Sequence, residues 1–272
     1  MIAPPLPPPV GTDAISRGIT AHAACEVRLS EIAALREAAP PLPPRFLRHC
    51  DEHTVVGAHA VLRALARLAG PAADVRRDAI VAASCQTGRL MAARSLSQLK
   101  TGGAVTVSTH IVPQASLHSL AGAVSVGLGM RGPHLGVGGG PDALAEGILA
   151  AVTLAADAPR TWLVVAEWDE EPALAADGTP AGDPLCRALA LALEPGCHAP
   201  LTLDVRFPAT PAPATPAAGQ LAAFCRAVEM CGTGGALVSW TLATPWGAEL
   251  RIARRLPAAH VPAVAGRLRE AA

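Results

Sequence analysis

Two apolar runs limit what this chain can fold into. "AIVAAS" (79–84) and "TWLVVAEW" (161–168) have the length of strands and are apolar on both faces, and helical patterns separate them. A strand of that kind must be covered on both sides, and helices alternating with such strands argue an α/β sheet. The predicted fold class is α/β, a mixed sheet covered by helices. "AISRGITAHAACEVRL" reads as a first strand and turn. A helix starts near Thr54, with Ala58, Val61, Leu62, Leu65 and Leu68 on one face. Another covers about 89–100 and ends at Gly102 and Gly103. A strand near 133–138 and a helix near 141–156 follow. "LCRALALAL" fits a strand or a short helix equally, and "LTLDVRF" is a strand. After the low-complexity linker "PATPAPATPAAG" come a helix from about 217 to 231 and two strands around a Thr-Pro-Trp-Gly turn. Residues 1–13 form a Pro-rich tail, 14–256 a single domain and 257–272 a C-terminal tail.

Several function classes fall away on composition. Of 272 residues, 51% are hydrophobic, so a full core can be buried. Lys+Arg 22 balances Asp+Glu 22, leaving no basic surplus for a nucleic-acid backbone. No run reaches the roughly 18 apolar residues of a membrane span, and "MIAPPLPPPV" lacks the basic start and apolar run of a secretory signal. Seven cysteines without paired spacing read as reduced thiols, and the localisation expected is cytoplasmic. Cys225 and Cys231 are too far apart for a ligand knuckle, so neither metal nor cofactor is expected.

The helix expected over about 114–130 has two faces. Leu117, Leu120, Val124 and Leu128 make an apolar stripe, while His118, Gly122, Ser125 and Gly129 make a second one of mostly small groups. Small residues in line let another backbone approach closely, within the domain or from another subunit.

The turn in "GPHLGVGGGPDALAEGI" (132–148) has the geometry that holds phosphates, nucleophiles or cofactors. A dinucleotide fingerprint fails here, because its sixth position from Gly136 is Pro141, and no lysine makes a P-loop. "AVSVG" (123–127) looks like a nucleophile elbow but sits in a helical pattern, where Ser125 reads as a packing residue. The helix itself is well formed by its sequence, with Gly140 as N-cap, Pro141 in the first position and Asp142 and Glu146 at the positive end.

From about 54 to 172, somewhat less than half of the chain resembles the N-terminal half of β-ketoacyl synthases, which have the thiolase-like fold. The matching features occur in order: "VVGAHAVLRALARL", "IVAASCQTGRL", "PQASLHSLAGAVSVGLGMRGP", the glycine turn and "LVVAEWDEEP". The pattern is most similar to short chain-length-factor-like proteins paired with ketosynthases in bacterial aryl-polyene-type pigment pathways. Their S-V-H-N-A-x-A-G motif stands here as "SLHSLAG" (116–122), with Ser119 in place of Asn.

The resemblance implies where chemistry would sit. In an active ketosynthase this turn presents a cysteine at a helix start, where the dipole favours the thiolate. That position falls on Pro141, which has no nucleophile and no amide proton. The family's two catalytic histidines lie in its C-terminal half. Here 72 residues follow residue 200 and contain one histidine, His260. The resemblance therefore implies a non-catalytic partner of a β-ketoacyl synthase that shapes an acyl tunnel at a heterodimer interface and meets acyl carrier protein indirectly. Gln114, Leu117, His118, Leu120, Gly122, Ser125, Gly129 and Met130 would line that interface and tunnel. Two alternatives stay open. One is a small acyl-thioester hydrolase or transferase using Cys85 with His118 or His110 as base. The other is a CoA- or nucleotide-binding module using the glycine turn.

Overall fold

The computed structural model describes residues 14–37, 39–68, 74–109, 111–196, 199–233 and 238–255. The two tails, His110 and His260 lie outside the described residues. In chain order the elements are β1 (Ile15–Arg28), α1 (Ile32–Glu37), α2 (Glu52–Leu65), β2 (Ala79–Cys85), α3 (Arg89–Gly102), α4 (Ile111–Gln114), α5 (Ser119–Leu128), β3 (His134–Gly139) and α6 (Ala143–Leu154). Then come β4 (Thr161–Trp168), β5 (Leu185–Glu194), β6 (Leu201–Arg206), α7 (Gln220–Gly232), β7 (Ser239–Ala243) and β8 (Glu249–Arg254).

The strands form one eight-stranded sheet ordered β3-β2-β4-β5-β1-β6-β8-β7. β2 pairs in parallel with β3 and β4, and the remaining ladders are antiparallel. One face carries α2 and α5, the other α6 and α7. The sheet is mixed and covered by helices, as the two-faced apolar runs require.

β5 shows why it could not be assigned from sequence. Its alternation of Ala and Leu satisfies a strand or a helix turn, but the structure uses the two residue types on opposite faces. Ala188, Ala190 and Ala192 lie under α2, and Leu189, Leu191 and Leu193 point into the core beneath α6 and α7. The alanines leave room for α2 to lie close on the sheet, so that helix is buried almost all round, with Gly57, Ala58, Ala60 and Ala64 facing its neighbours. Each buried leucine contributes roughly 1.5–3 kcal/mol on the other face.

The helix expected over 114–130 is broken in two. Ser119 Oγ donates to the carbonyl of Pro113 (2.7 Å) and accepts from the amide of Ser116 (3.0 Å). That hydroxyl offers the backbone a local alternative to helix, so 115–118 turns before α5 begins. Gly129 ends α5 with φ +67 and donates to the carbonyls of Ser125 and Val126. The turn after β3 also differs from expectation. α6 starts at Ala143, with Asp142 rather than Gly140 at the N-cap, so Pro141 sits in the turn before the helix. The reason is local: Gly138 and Gly139 take φ +92 and +101, and the amide of Ala143 closes a turn onto the carbonyl of Gly140 (3.2 Å).

The 115–118 segment crosses directly over β3. A Cβ at Gly136 would lie 2.2 Å from the carbonyl oxygen of Leu117, a contact with backbone that cannot move aside alone. Gly136→Ala is therefore expected to cost about 3 kcal/mol or to abolish folding, measured by urea unfolding. Gly140→Ala, where a Cβ meets nothing within 4 Å, should change stability by less than about 0.5 kcal/mol.

Candidate functional site

Two places on this frame could carry function. The first lies at the carboxyl ends of the parallel strands, where open α/β sheets usually bind ligands. Cys85 ends β2, Glu167 and Trp168 end β4, Pro141 precedes α6, and Ala218 and Gly219 lead into α7. Together they surround a cleft of about 280 Å³. Pro141 and Cys85 thus share one cavity.

The electrostatics of that cleft oppose nucleophilic chemistry. Burial pushes the Cys85 thiol up, and the carboxylates of Glu171 and Glu167 push it further, so it is protonated at neutral pH. A reactive cysteine needs the opposite surroundings. Burial also pushes Glu167 up, to about 7, against the pull of Arg187 and a hydrogen bond from the Leu221 amide. Arg187 is itself held by Glu26 (2.6 Å) and Asp169 (2.7 Å), and Arg89 pairs with Glu171 (2.6 Å).

Behind the cleft lies a buried polar cluster that sequence reasoning missed. His53 Nδ1 lies 2.8 Å from Ser84 Oγ, and its ring packs on Trp168 with centroids 5.6 Å apart. Burial holds the imidazole below its usual value, so it stays neutral. Asp51 caps α2 through the amide of Thr54 (2.9 Å) and also accepts from the amide of Gly88 (2.9 Å). The cap onto Thr54 is local and could have been signalled by an acidic residue just before a helical pattern, whereas the tie to Gly88 joins residues remote in sequence.

The second place is the face made by α5 and β3, at the open edge of the sheet. There Gln114, His118, Gly122 and Ser125 line a mainly apolar hollow of about 400 Å³, together with Phe46 and Val126. His118 Nε2 and His134 Nδ1 lie 2.9 Å apart at its rim, within hydrogen-bond distance. Val126 is 72% exposed and Leu135 43%. The remaining residues expected here do not line the hollow. Leu120 turns inward against Gly57 of α2, and Met130 is buried, because α5 packs that side on α2. Leu117 lies in the crossing segment, and Gly129 is the exposed C-cap of α5.

The expected pairing of Cys85 with His118 is not formed. The two residues line different cavities, and His118 is engaged by His134. Ser125 Oγ donates to the Gly122 carbonyl (3.0 Å) in mid-helix, so the elbow-like string is no elbow. Among the described residues no group of three or more His, Cys, Asp or Glu could hold a metal, and no helix is long and apolar enough to cross a membrane.

A fold with this sheet order and this strand–turn–helix at its edge belongs to a known class. The chain has the thiolase-like fold of the ketosynthases. A ketosynthase (ApeO) in complex with its chain length factor (ApeC) from Xenorhabdus doucetiae matches with a TM-score of 0.57 at 17% identity, over 88% of this chain and 99% of the matched one. The ishigamide ketosynthase/chain length factor matches at 0.48 and 20% identity, over 82% of this chain and 74% of that one. A β-ketoacyl synthase from Burkholderia phymatum STM815 matches at 0.48 and 16% identity, over 68% and 59%. No family model matches the sequence, and no curated protein does.

The Glu167 shift has a measurable consequence. A carboxyl raised from 4.5 to about 7 by folding favours the native state when protonated, and that contribution is lost as pH rises from 4.5 through 7. Relative to Glu167→Gln, the wild-type chain should lose on the order of 1–3 kcal/mol between pH 4.5 and 8, followed by urea unfolding at each pH. Parallel profiles for the two proteins would contradict this assignment.

Proposed function

We propose that this chain is a non-catalytic, chain-length-factor-like subunit that pairs with a catalytic β-ketoacyl synthase and shapes the acyl passage at their interface. One observation carries the reading. The turn between β3 and α6, where a condensing enzyme of this fold presents its thiol, reads Gly, Gly, Gly, Pro, Asp, Ala over 138–143. Proline at 141 offers neither a nucleophile nor an amide for an oxyanion. Cys85 in the same cleft does not substitute for it, since burial and two carboxylates keep it a thiol.

The α5–β3 face supports the partner half of the reading. It combines an open sheet edge, exposed apolar side chains and a hollow floored by small residues, features of a surface that another subunit covers. Gly122 and Ser125 then help set the cross-section of the space left for an acyl chain. The likeness in fold to a chain from a ketosynthase–chain length factor complex is consistent with this arrangement. The pathway is of the polyketide or fatty-acid type, with aryl-polyene-type pigments as the closest model, and acyl carrier protein is met through the ketosynthase. The compartment proposed is the cytoplasm.

Co-expression with a ketosynthase encoded nearby should give a heterodimer that survives size-exclusion chromatography. Val126→Arg, at a largely exposed position, should leave the melting temperature of the isolated chain within a few degrees yet weaken the heterodimer at least tenfold. A chain that stays monomeric with every such ketosynthase would contradict the reading.

A further inference from the structure

The apolar hollow under α5 does not stand alone. A second cavity of about 260 Å³ adjoins it, with Cys50 and Gln114 on the boundary of both. Its chemistry is the opposite. Arg36, Arg48 and Arg94 all line it, together with the hydroxyl of Ser95. The carboxylate of Glu52 is nearly buried and bridges two of the guanidiniums, at 3.2 Å from Arg36 and 3.1 Å from Arg94. Glu52 and, behind Cys50, Asp51 offset part of the positive charge, and the three guanidiniums still outnumber them along the wall. Arg36 also donates to the carbonyl of Cys50 (3.2 Å), which fixes its orientation beside the boundary. Arg48 makes no side-chain hydrogen bond or ion pair with any described residue.

An apolar hollow backed by a cationic one selects an amphipathic anion. The tail gains by leaving water, and the head gains from guanidiniums whose planar forks match a carboxylate or phosphate oxygen pair. A neutral lipid would gain nothing from the guanidiniums, and a small anion would leave the hollow empty. We propose that this chain binds a free long-chain carboxylate, with its hydrocarbon tail in the hollow beside Gly122 and Ala123 and its head group at Arg36, Arg48 and Arg94. The tail site is the hollow read above as part of the acyl passage, and its effect on that passage rests on that reading, whereas the binding itself needs only this one chain. It would make occupancy of the acyl passage respond to the free fatty-acid pool.

Titration of the full isolated chain with dodecanoate, below its micelle concentration and followed by isothermal calorimetry, tests the assignment. Saturable binding is expected. Dodecanol should bind at least tenfold more weakly, and decanoate about tenfold more weakly because two methylenes are lost. Arg48→Glu should weaken dodecanoate at least tenfold without changing dodecanol, whereas Ala123→Phe, which fills the hollow, should weaken both. Thermal melts establish that each variant is folded. Absence of saturable binding overturns the proposal, as does equal affinity for the acid and the alcohol, or indifference to Arg48→Glu. Heterodimer formation is read separately by co-purification, so loss of the partner reading and loss of this site give different results.

Discussion

The crossing of the 115–118 segment over Gly136 is the constraint on which the rest of the structure turns. The carbonyl of Leu117 lies where a Cβ at 136 would be, so the chain can pass over the edge strand only because that residue has no side chain. The crossing delivers α5 onto α2 at one fixed height, with Leu120 seated on Gly57. It also leaves His118 opposite His134 and opens the hollow between α5 and the Phe46 loop. A side chain at Gly136 would displace α5 and alter every feature of the α5–β3 surface.

The cleft at the carboxyl ends of β2 and β4 holds a carboxyl raised to about 7, Glu167, and no activated thiol among the described residues. Pro141 supplies nothing to react, the neighbouring thiol is held protonated, and the buried imidazole of His53 is kept neutral beside Trp168. Apart from Glu167, the acidic groups there form ion pairs with Arg89 and Arg187, which tie α3, β1, β5 and the segment after β4 together. The cluster behaves as a structural brace. The cleft and the open α5–β3 face thus lie in different parts of the same half-sheet.

Much of the frame was legible in the sequence because it rests on strong local patterns. Runs apolar on both faces mark β2 and β4 as covered strands, and the resemblance to ketosynthases anticipated the thiolase-like fold that the structure shows. What escaped depends on partners far apart in the chain. The Ala/Leu alternation of β5 acquires meaning only once α2 lies over the alanines. The helix break before α5 follows from a single hydroxyl, Ser119, reaching Pro113. Leu120 turns inward as its place on the apolar stripe signals, Met130 carries no such local sign, and Gln114, His118, Gly122 and Ser125 reach the hollow. The parallel register of β2 and β4 sets Cys85 near Glu167 and Trp168, and α2 brings His53 onto Ser84, neither of which a spacing rule encodes.

The central claim is that this molecule contributes shape to an assembly and forms no bond itself. Turnover of a malonyl and an acyl thioester by the purified chain, assayed with and without its ketosynthase, addresses it most directly. The account predicts no decarboxylation or condensation by the chain alone, and condensation when the two are combined. Condensed product from the isolated chain would contradict it.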